Sequence, residues 1–414
     1  MNYEETISYI HSAPKISKIL GNDALRKVLS ILNNPQDKLK FVHIAGTNGK
    51  GSTAAMINSA LYKSKIKTGL FTSPYLEVFN ERIRINNEMI SDDKLCFYTE
   101  KVKYTMEKHN VFLSEFALIL VIALLYYADE KCEIVVLETG LGGRLDATNV
   151  ISDKLVAVIT KISRDHMQYL GNTESEIAFE KCGIIKPDTT VVSYPEQSVE
   201  SLEIIEKTCL TMNAELIIPQ KPNVKKDYML FENQKYTLSL KGFYQYSNAV
   251  VAIKTLEVLI KKGFNISSSD IKYGMSHTLW PGRFEYIKNN LILDGCHNED
   301  GARALADTLK SEHREITLVT CVMEDKDYQK LAEIFSGITD KIIITTLNSE
   351  RTLSIEKYAE CYLKNGVTPI IEYDVSNAIK KGMSESGICV VCGSLYLVGE
   401  VRRLLKNKET AEGR

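Results

Sequence analysis

Short runs of aliphatic and β-branched residues alternate with longer helix-like stretches through most of the chain. Residues 134–137 read Ile-Val-Val-Leu and are apolar without a break, as expected for a strand that is covered on both faces of a sheet. Strands that alternate with helices indicate βαβ units and a mostly parallel sheet. In the first part of the chain, strands are predicted over residues 41–45, 67–72, 133–138, 155–160, 190–193 and 215–218.

The alternation becomes more regular after residue 281. Evenly spaced apolar runs and helical stretches there predict a second, doubly wound α/β domain. The segment 281–290 is the best candidate boundary, which gives predicted domains at residues 1–285 and 286–414. In the second domain, strands are predicted over residues 291–293, 316–319, 341–345, 369–372 and 388–391, and helices over 300–310, 328–335, 354–363 and 376–385.

Composition and charge exclude two classes of partner. The chain has 414 residues, with 51 Lys and Arg against 53 Asp and Glu, so its net charge is −2. A near-neutral charge gives no global argument for a nucleic acid or an anionic membrane. The longest apolar run, residues 116–128, is shorter than the roughly 18 residues that span a membrane. It is predicted as a buried helix, and neither partner is expected.

The N-terminus and the cysteines indicate a cytoplasmic protein. Residues 1–5 are polar and acidic and do not resemble a signal peptide. The nine cysteines are scattered, and a disulfide framework is not expected in a chain of this length. Cys389 and Cys392 form a single CxxC inside an apolar run. That run predicts a buried strand, because a zinc site would need a second pair.

Residues 46–52 read GTNGKGS and carry the first chemical signal. They follow a predicted strand and precede a helix predicted over 53–62. Glycines let backbone N–H groups close around phosphate oxygens, and a helix N-terminus adds partial positive charge. Lys50 can reach the β and γ oxygens, and a hydroxyl such as that of Ser52 can bind Mg²⁺. The sequence predicts a phosphate-binding loop, although not one with the standard P-loop spacing.

Three further features narrow the class. The strand predicted over residues 133–138 ends in Glu138, and a carboxylate at a strand end beside the phosphate loop is well placed to bind Mg²⁺. Residues 160–163 lack the Asn and Asp of a guanine-binding motif, which argues against a GTPase. Residues 140–145 read GLGGRL, but Leu145 stands where the dinucleotide fingerprint needs its third glycine. NAD binding is therefore not expected.

Taken in their order along the chain, the motifs resemble the folylpolyglutamate synthase and dihydrofolate synthase family, a branch of the Mur-ligase-like ATP-dependent amide ligases. The resemblance extends from residue 20 to residue 403. It is specific because several motifs match in the same order. The matching motifs are GTNGKGS at residues 46–52, TSPYL at 72–76, FNERI at 79–83, ETGLGGRLDATN at 138–149, DH at 165–166, EKCGIIK at 180–186, Gln245, NA at 248–249, WPGRFE at 280–285 and DGCHN at 294–298.

The resemblance implies an α/β protein with two domains. These are a P-loop-containing, Mur-ligase-like central domain built on a mostly parallel sheet, and a smaller, Rossmann-like C-terminal α/β domain. The implied activity is ATP-dependent addition of L-glutamate to reduced folates, with dihydropteroate as a second substrate. An acyl phosphate would be the intermediate, and ADP and phosphate would be products. The expected partners are these small molecules alone, and the expected state is a monomer.

The resemblance also implies a set of site residues. ATP is expected between the two domains, with the phosphate loop on one side, Asp294 on the other and Arg283 at the hinge. The implied catalytic residues are Lys50, His166, Lys181 and Arg283. The implied nucleotide-binding residues are Asn48, Gly49, Lys50, Gly51, Ser52, Asn248, Arg283, Asp294 and His297. The implied substrate-side residues are Ser114, Leu145, Asp146 and Ala147.

The resemblance implies two Mg²⁺ sites, and K⁺ is expected as an additional bound cation. A plain lysine is a cation and would repel a metal ion, so the resemblance implies that Lys181 is carbamylated. The carbamate would turn this side chain into an anionic oxygen ligand. The implied metal ligands are Ser52, Ser73, Glu138, His166 and Lys181.

The residues themselves leave simpler interpretations open. Lys181 could be an exposed helix lysine, since lysine is mostly exposed. Asp294 could cap the helix that follows it. Asp146 could only order its own loop, whose composition is typical of a turn. His166 could be a polar turn residue.

Two other functions are also open. One is a Mur-type ligase that acts on a cell-wall precursor, although the phosphate loop at residue 46 leaves little room for the extra N-terminal domain those enzymes commonly carry. The other is a P-loop nucleotide switch, which the missing guanine motif disfavours. Three places depart from the family pattern, namely Tyr75, Tyr244 and residues 20–24.

Overall fold

The chain divides into two units in the computed structural model, which describes residues 1–15, 21–152 and 154–412. The first unit consists of Met1–Ser163, Leu170–Ser239 and Tyr246–Thr278. The second unit runs from Leu279 and also includes Arg164–Tyr169 and Leu240–Gln245. The sequence-based division after residue 285 stays a prediction. Of the departing segment at residues 20–24, Leu20 lies outside the described residues.

One eight-stranded sheet forms the framework of the first unit. Its strands are β1 (Phe41–Ala45), β2 (Thr68–Phe71), β3 (Ile83–Ile85), β4 (Glu88–Met89), β5 (Ile134–Glu138), β6 (Lys154–Ile159), β7 (Thr190–Ser193) and β8 (Glu215–Ile217). They lie in the order β4-β3-β2-β5-β1-β6-β7-β8. Only the pairs β2–β3 and β3–β4 are antiparallel, so the prediction of a mostly parallel sheet is confirmed.

The centre of this sheet sets up the site. β1 and β5 are neighbours and are buried along their whole length. Ile44 near the end of β1 pairs with Glu138 at the end of β5. The carboxyl ends of parallel strands meet at one edge, where ligands of α/β proteins bind. The loops that follow β1 and β5 therefore begin side by side.

Helices connect most of these strands. Those that begin before residue 279 are α1 (Tyr3–Ser12), α2 (Asp23–Ile31), α3 (Lys50–Lys63), α4 (Asp92–His109), α5 (Glu115–Asp129), α6 (Met167–Leu170), α7 (Glu174–Cys182), α8 (Val199–Thr211), α9 (Tyr244–Lys261) and α10 (Ser268–His277). α5 is the helix predicted from the long apolar run, and it is buried from Ala117 to Tyr127. The Tyr127 hydroxyl donates to the Leu70 carbonyl at 2.7 Å, which ties α5 to β2. No helix among the described residues is long and apolar enough to cross a membrane.

Several elements of the first unit are not predicted by the apolar pattern. They include the helices α1, α2 and α4 and a separate three-stranded antiparallel sheet. The strands of this small sheet have only two or three residues each, too few to display the two-residue period of a half-buried strand. They are β9 (Asn223–Val224), β10 (Met229–Phe231) and β11 (Gln234–Tyr236).

A six-stranded sheet forms the second unit, as predicted for an α/β domain. Its strands are β12 (Glu285–Lys288), β13 (Leu291–Leu293), β14 (Ile316–Thr320), β15 (Ile342–Ile344), β16 (Ile370–Ile371) and β17 (Ile388–Cys392), in the order β12-β13-β17-β14-β15-β16. All neighbours are parallel except β12 and β13. Its remaining helices are α11 (Glu299–Leu309), α12 (Tyr328–Ser336), α13 (Ile355–Lys364), α14 (Val375–Ser384) and α15 (Leu395–Glu412).

The cysteines form no disulfides in this fold, and nearly all of them are buried. All nine are free thiols, and all except Cys96 are buried. Cys389 and Cys392 lie in β17, which is buried along its length. The prediction of a buried strand at the CxxC is therefore confirmed.

Candidate active site

The phosphate loop leaves β1 and enters α3, as the sequence predicts. The backbone N–H groups of Thr47 and Asn48 donate to the Lys161 carbonyl at 2.8 and 3.2 Å. The Thr47 hydroxyl donates to the Ser163 carbonyl at 2.9 Å. These bonds fix the first half of the loop against the chain that follows β6. The second half enters the first turn of α3, where helix N–H groups lack helical acceptors and the dipole favours an anion.

Two glycines of the loop are required by close approaches. A Cβ atom at Gly46 would lie 1.8 Å from the Thr160 hydroxyl oxygen. Gly49 has a φ of +86°, and a Cβ atom there would lie 2.3 Å from Oδ1 of Asn248. Larger residues would displace the loop from β6 and from α9. The structure thus places Asn248, a predicted nucleotide contact, directly beside the phosphate loop.

Two lysines converge on the same carbonyl of the loop. Lys50 Nζ donates to the Gly46 and Thr47 carbonyls at 3.1 and 3.2 Å. Lys181 Nζ, from the last turn of α7, donates to the Gly46 carbonyl at 2.8 Å. Lys181 is only 4 % exposed, so its interpretation as an exposed helix lysine is wrong. Both lysine nitrogens are brought to the loop where phosphate is expected to bind.

Ser73 and Glu138, two predicted Mg²⁺ ligands, are adjacent. Glu138 ends β5 and is buried, and its Oε2 accepts the Ser73 N–H at 3.0 Å. Hydroxyl and carboxylate oxygens are hard donors of the kind that Mg²⁺ prefers, so this pair fits the ion. Within the described ranges, no three His, Cys, Asp or Glu side chains form a metal-binding group. The predicted ligands include two serines and a modified lysine in addition to Glu138 and His166.

The loop after β2 is held together by Glu81. Its Oε2 accepts the N–H of Leu76 at 2.9 Å, and its Oε1 accepts those of Glu77 and Val78 at 2.8 and 2.9 Å. One carboxylate thereby closes the turn between the two predicted folate-side motifs. This is the physical role of the glutamate in FNERI.

The same loop carries an aromatic surface. The guanidinium carbon of Arg82 lies 5.3 Å from the ring centre of Tyr75 and 5.7 Å from that of Phe79. Asn80 accepts the Tyr3 hydroxyl at 2.9 Å, which ties the loop to α1. An arginine over aromatic rings can stack a planar group and attract a carboxylate.

Asp146 orders the loop that follows β5. Its Oδ2 accepts the N–H groups of Gly140 and Leu141 at 3.0 and 2.8 Å. Its Oδ1 accepts the Thr148 N–H at 2.9 Å and also the Thr148 hydroxyl. Burial raises the pKa of Asp146, while these bonds oppose the rise. A carboxylate has about four acceptor positions, so the predicted pterin contact, which stays a prediction, would have to displace one of these donors.

The other predicted substrate-side residues have simple positions. Ser114 caps α5, where its hydroxyl accepts the Ala117 N–H at 3.4 Å. Leu145 is 43 % exposed at the tip of the loop. Ala147 packs against the core cluster that surrounds α5. Their contacts with substrate stay predictions.

The carboxylate of Asp294 accepts hydrogen bonds from three residues of the second unit. It follows β13, and its Oδ1 accepts the Cys296 N–H at 2.9 Å. Its Oδ2 accepts the Phe284 N–H at 2.9 Å and the Tyr244 hydroxyl at 3.0 Å. α11 is capped by Asn298 instead, whose Oδ1 accepts the Gly301 N–H. The interpretation of Asp294 as a helix cap is therefore wrong.

The turn that carries Arg283 is held by hydrogen bonds on both sides of the arginine. On its C-terminal side, Phe284 donates its N–H to Asp294. Gly282 donates its N–H to Glu285 Oε2 at 2.8 Å and accepts the Gly295 N–H at 2.8 Å. Burial and the Asp294 carboxylate raise the pKa of Tyr244 well above its ordinary value, so this hydroxyl stays protonated and donates. Tyr244, one of the departures from the family pattern, thus holds Asp294 and the turn before Arg283 together.

His166 follows a strongly anchored aspartate of the second unit. Asp165 accepts Lys326 Nζ at 2.7 Å and Asn298 Nδ2 at 2.9 Å. Burial opposes ionisation, but the charges of Lys326, His297 and His166 hold the pKa of Asp165 far below its ordinary value. His166 has a φ of +50°, in the left-handed region that residues other than glycine adopt uncommonly.

His297 lies beside this ion pair. Its Nδ1 lies 2.9 Å from the Gly295 carbonyl, and its Nε2 lies 3.7 Å from Asp165 Oδ2. Desolvation and the Lys326 charge lower the pKa of His297 to about 4. The imidazole is therefore neutral at pH 7, with its Nδ1 proton directed at a carbonyl.

Some of the predicted site residues belong to the first unit and the others to the second. The first holds the phosphate loop, Lys181 and Asn248, together with Ser73 and Glu138. The second holds His166, Arg283, Asp294 and His297. Sequence reasoning missed Lys326, because 161 positions separate it from Asp165 and no pattern in a single sequence joins them.

Comparison with known proteins agrees with this architecture. Residues 44–256 match the Mur ligase middle domain, and residues 282–395 match the Mur ligase glutamate ligase domain. A solved structure, the folylpolyglutamate synthase of Mycobacterium tuberculosis complexed with ADP and AMPPCP, is similar over 97% of this chain and 98% of that chain. Its TM-score is 0.87 and its sequence identity 26%. The class is that of the Mur-type ligases.

Two relatives narrow the class. The dihydrofolate synthase/folylpolyglutamate synthase of Bacillus subtilis (strain 168) is 33% identical over 98% of this chain and 99% of its own length. The folylpolyglutamate synthase of Lacticaseibacillus casei is 30% identical over the same shares. The chain belongs to the dihydrofolate synthase/folylpolyglutamate synthase family.

Proposed function

We propose that the protein is an ATP-dependent ligase that adds L-glutamate to reduced folates and, as a second activity, to dihydropteroate. The substrate carboxylate would attack the γ-phosphate of ATP, giving an acyl phosphate and ADP. The amine of glutamate would then displace phosphate. The observation that carries the proposal is the convergence of Lys50 and Lys181 on the Gly46 carbonyl of the phosphate loop.

The proposed chemistry needs fixed cations more than a nucleophilic side chain. Both steps gather negative charge on oxygen atoms, and preorganised positive groups stabilise that charge. Lys50 is held over the loop by its bonds to the Gly46 and Thr47 carbonyls. It can turn from these carbonyls to phosphate oxygens at the start of α3. No side chain has to be acylated.

Ser73 and Glu138 are proposed to hold Mg²⁺, with Ser52 beside the phosphates and His166 at the second site. The bound ion would neutralise phosphate charge. Ser73, which follows β2, and Glu138, which ends β5, supply adjacent oxygen donors. β5 lies next to the strand that leads into the phosphate loop. K⁺ is proposed only as an additional cation.

The proposed carbamate on Lys181 is compatible with its present contact. The neutral amine would add to CO₂ and lose one proton, forming an N–C bond and a carboxylate. One N–H would remain, and it could continue to donate to the Gly46 carbonyl, which now lies 2.8 Å from Nζ. The new oxygens would supply the negative charge that a metal ligand needs and an ammonium lacks.

In the second unit, Asp294, Arg283 and His297 are proposed nucleotide contacts. Oδ1 of Asp294 accepts the Cys296 N–H, and a carboxylate oxygen can accept a second bond, for example from a ribose hydroxyl. The complexes of the M. tuberculosis relative with ADP and AMPPCP support an adenine nucleotide. The protein is proposed to be a monomer whose partners are its small-molecule substrates.

The names of the relatives support both proposed acceptors. The B. subtilis relative bears both activities in its name, and the L. casei relative bears folylpolyglutamate synthase alone. Tetrahydrofolate and dihydropteroate are therefore tested separately, each with ATP, Mg²⁺ and glutamate, while phosphate release is followed. We expect release only when nucleotide, glutamate and a pterin compound are all present.

Each other outcome of that assay points to a named rival. Phosphate release without glutamate or a pterin compound would identify a nucleotide switch. If glutamate is added to neither pterin compound, the result would favour a Mur-type ligase that acts on a cell-wall precursor. The Lys50→Ala variant is the control for a contaminating ATPase, since the substitution removes the charge proposed to contact the phosphates from the ligase alone.

A further inference from the structure

A buried hydrogen-bond relay joins β1 to the loop that follows β5. Nε2 of His43 lies 2.8 Å from Oγ1 of Thr148, and the Thr148 hydroxyl donates to Oδ1 of Asp146. His43 and Thr148 are fully buried and lie 105 positions apart in the sequence. His43 belongs to the strand that runs directly into the phosphate loop. The relay therefore connects β1, which leads into the phosphate loop, with the glycine-rich loop that follows β5.

The direction of the protons in this relay is fixed by counting donors. The Thr148 hydroxyl has one hydrogen, and it is donated to the Asp146 carboxylate. Its oxygen must then accept from His43, so Nε2 of His43 carries the proton. Nδ1 of His43 is left without a hydrogen-bond partner among the described residues, as a bare lone pair allows. Burial, and then the charges of Lys154 and Lys186, lower the pKa of His43 well below its ordinary value.

We infer that His43 is a positioning residue that acts through Thr148 on the Asp146 carboxylate and thereby holds the substrate-side loop. The relay and the Thr148 N–H together fix Oδ1 of Asp146. Oδ2 is then aimed at the N–H groups of Gly140 and Leu141. As far as the pterin substrate is concerned, the inference rests on the proposed function.

A merely structural histidine would behave differently. A core side chain contributes through packing, and its loss weakens the whole unit and every ligand equally. His43 contributes through one directed bond, so its loss releases the loop at residues 140–148 while β1 and the phosphate loop keep their own contacts. The predicted effect is therefore selective for the pterin substrate over ATP.

Four variants separate the two cases. Thr148→Val keeps the shape of the side chain and removes both links of the relay at once. His43→Phe removes only the first link, and Thr148→Ser keeps the hydroxyl. Thr99→Val is the matched control, because Thr99 is also fully buried in the first unit and its hydroxyl makes only a local bond to the Leu95 carbonyl of α4.

The first readouts are loop exchange and the two Michaelis constants. In Thr148→Val and His43→Phe, we expect hydrogen exchange in the segment 139–148 and the KM for the pterin substrate each to rise by about three- to tenfold, the scale of one lost hydrogen bond. The KM for ATP should stay within about twofold, and Thr148→Ser and Thr99→Val should match the wild type. An unchanged loop, or equal rises in both KM values, would overturn the inference.

The second readout does not depend on activity. Imidazole ¹⁵N shifts of the full chain should show His43 as the neutral Nε2–H tautomer throughout the stable pH range, with its signal identified by its loss in His43→Phe. A proton on Nδ1, or an imidazolium at neutral pH, would overturn the relay. If the tautomer and the loop exchange behave as expected while no pterin compound is glutamylated, the proposed function has failed and the positioning role of His43 in the loop stands.

Discussion

The two glycine-rich loops of the first unit satisfy their backbone N–H groups in opposite ways. The loop at residues 46–52 is fixed at its start by Lys161 and Ser163 and then forms the first turn of α3. It is closed by Lys50. The loop at residues 140–146 carries its own anion, since the Asp146 carboxylate accepts the N–H groups of Gly140 and Leu141.

The difference shows what distinguishes a phosphate site from a glycine-rich turn. Glycine spacing makes both loops compact, but the charge that closes the loop decides which ligand it can take. A lysine at a helix N-terminus favours an external anion. A buried aspartate already occupies the N–H groups of Gly140 and Leu141 and would repel phosphate, which agrees with the expectation that GLGGRL at residues 140–145 is not a dinucleotide-binding loop.

The first way to break the comparison is to remove the charge of the phosphate loop. Lys50→Ala should lower turnover by about 10²–10³-fold at saturating ATP, because one preorganised contact to the transferring phosphate is lost. Lys63→Ala, at the exposed C-terminal end of the same helix, is the matched control and should be near normal. Near-normal turnover of Lys50→Ala in a phosphate-release assay would disprove the assignment of the loop.

A second test of the comparison removes the Asp146 carboxylate from the loop at residues 140–146. Asp146→Ala leaves four donors without their acceptor, so the free energy of unfolding should fall by about 2–4 kcal/mol. Urea unfolding measures this, and Asp93→Ala at the exposed start of α4 is the control. Little loss of stability would show that water or a neighbouring group replaces the carboxylate.

The same variant tests the predicted pterin contact. Activity on dihydropteroate and on tetrahydrofolate is compared at matched stability, for example at lower temperature. A loss confined to dihydropteroate would support a direct contact of Asp146 with that substrate. Equal losses would leave Asp146 as the organiser of its loop alone.

A third test uses the lysine that anchors the far end of this loop. Lys154 Nζ donates to Asn149 Oδ1 and to the Ile184 carbonyl, both at 2.9 Å. Burial, with Lys186 as a second cause, lowers its pKa to about 6 from an ordinary value of 10.5. Between these values the unfolded chain binds more protons than the folded one, so the unfolding free energy rises with pH by up to about 1.4 kcal/mol per unit.

Lys154→Met should remove that slope. The free energies of unfolding of wild type and variant, measured by urea titration across the window, should differ most at low pH and converge as pH rises toward 10.5. Lys27→Met, on an exposed face of α2, is the control and should run parallel to the wild type. A parallel curve for Lys154→Met would mean that this lysine is charged in the folded protein.

The smallest expected effect lies in the second unit. Tyr244→Phe removes one donor from Asp294 and should weaken binding of a non-hydrolysable ATP analogue by about three- to tenfold, while turnover at saturating ATP changes little. Isothermal titration measures the affinity, with Tyr246→Phe as the control. Unchanged affinity would show that Asp294 is positioned without Tyr244 or does not contact the nucleotide.

The sequence predicts the parts of the fold that continuous apolar strands define. β1, β5 and β17 are buried on both faces, so their composition alone marks them. β12 lies in the segment 281–290 that was predicted as a boundary, because a half-exposed antiparallel edge strand has no such run.

The site is predictable where the chemistry is local. The glycines and Lys50 of the loop at residues 46–52 are neighbours in sequence, so their pattern alone predicts a phosphate-binding role. Contacts between residues far apart in the sequence cannot be predicted from a single sequence. Examples are Asp165 with Lys326 and His43 with Thr148. Asp146 shows the middle case, since its residue type suited both a pterin contact and a loop organiser, and only the four hydrogen bonds reveal the second role.

The central claim, ligation through an acyl phosphate, is tested most directly by isotope transfer. The acceptor carboxylate of the pterin substrate is labelled with ¹⁸O, and the inorganic phosphate formed with ATP and glutamate is analysed by mass. Attack of the carboxylate on the γ-phosphate predicts that one ¹⁸O atom appears in each phosphate released with product. Unlabelled phosphate from a reaction that does form the glutamyl product would contradict the mechanism.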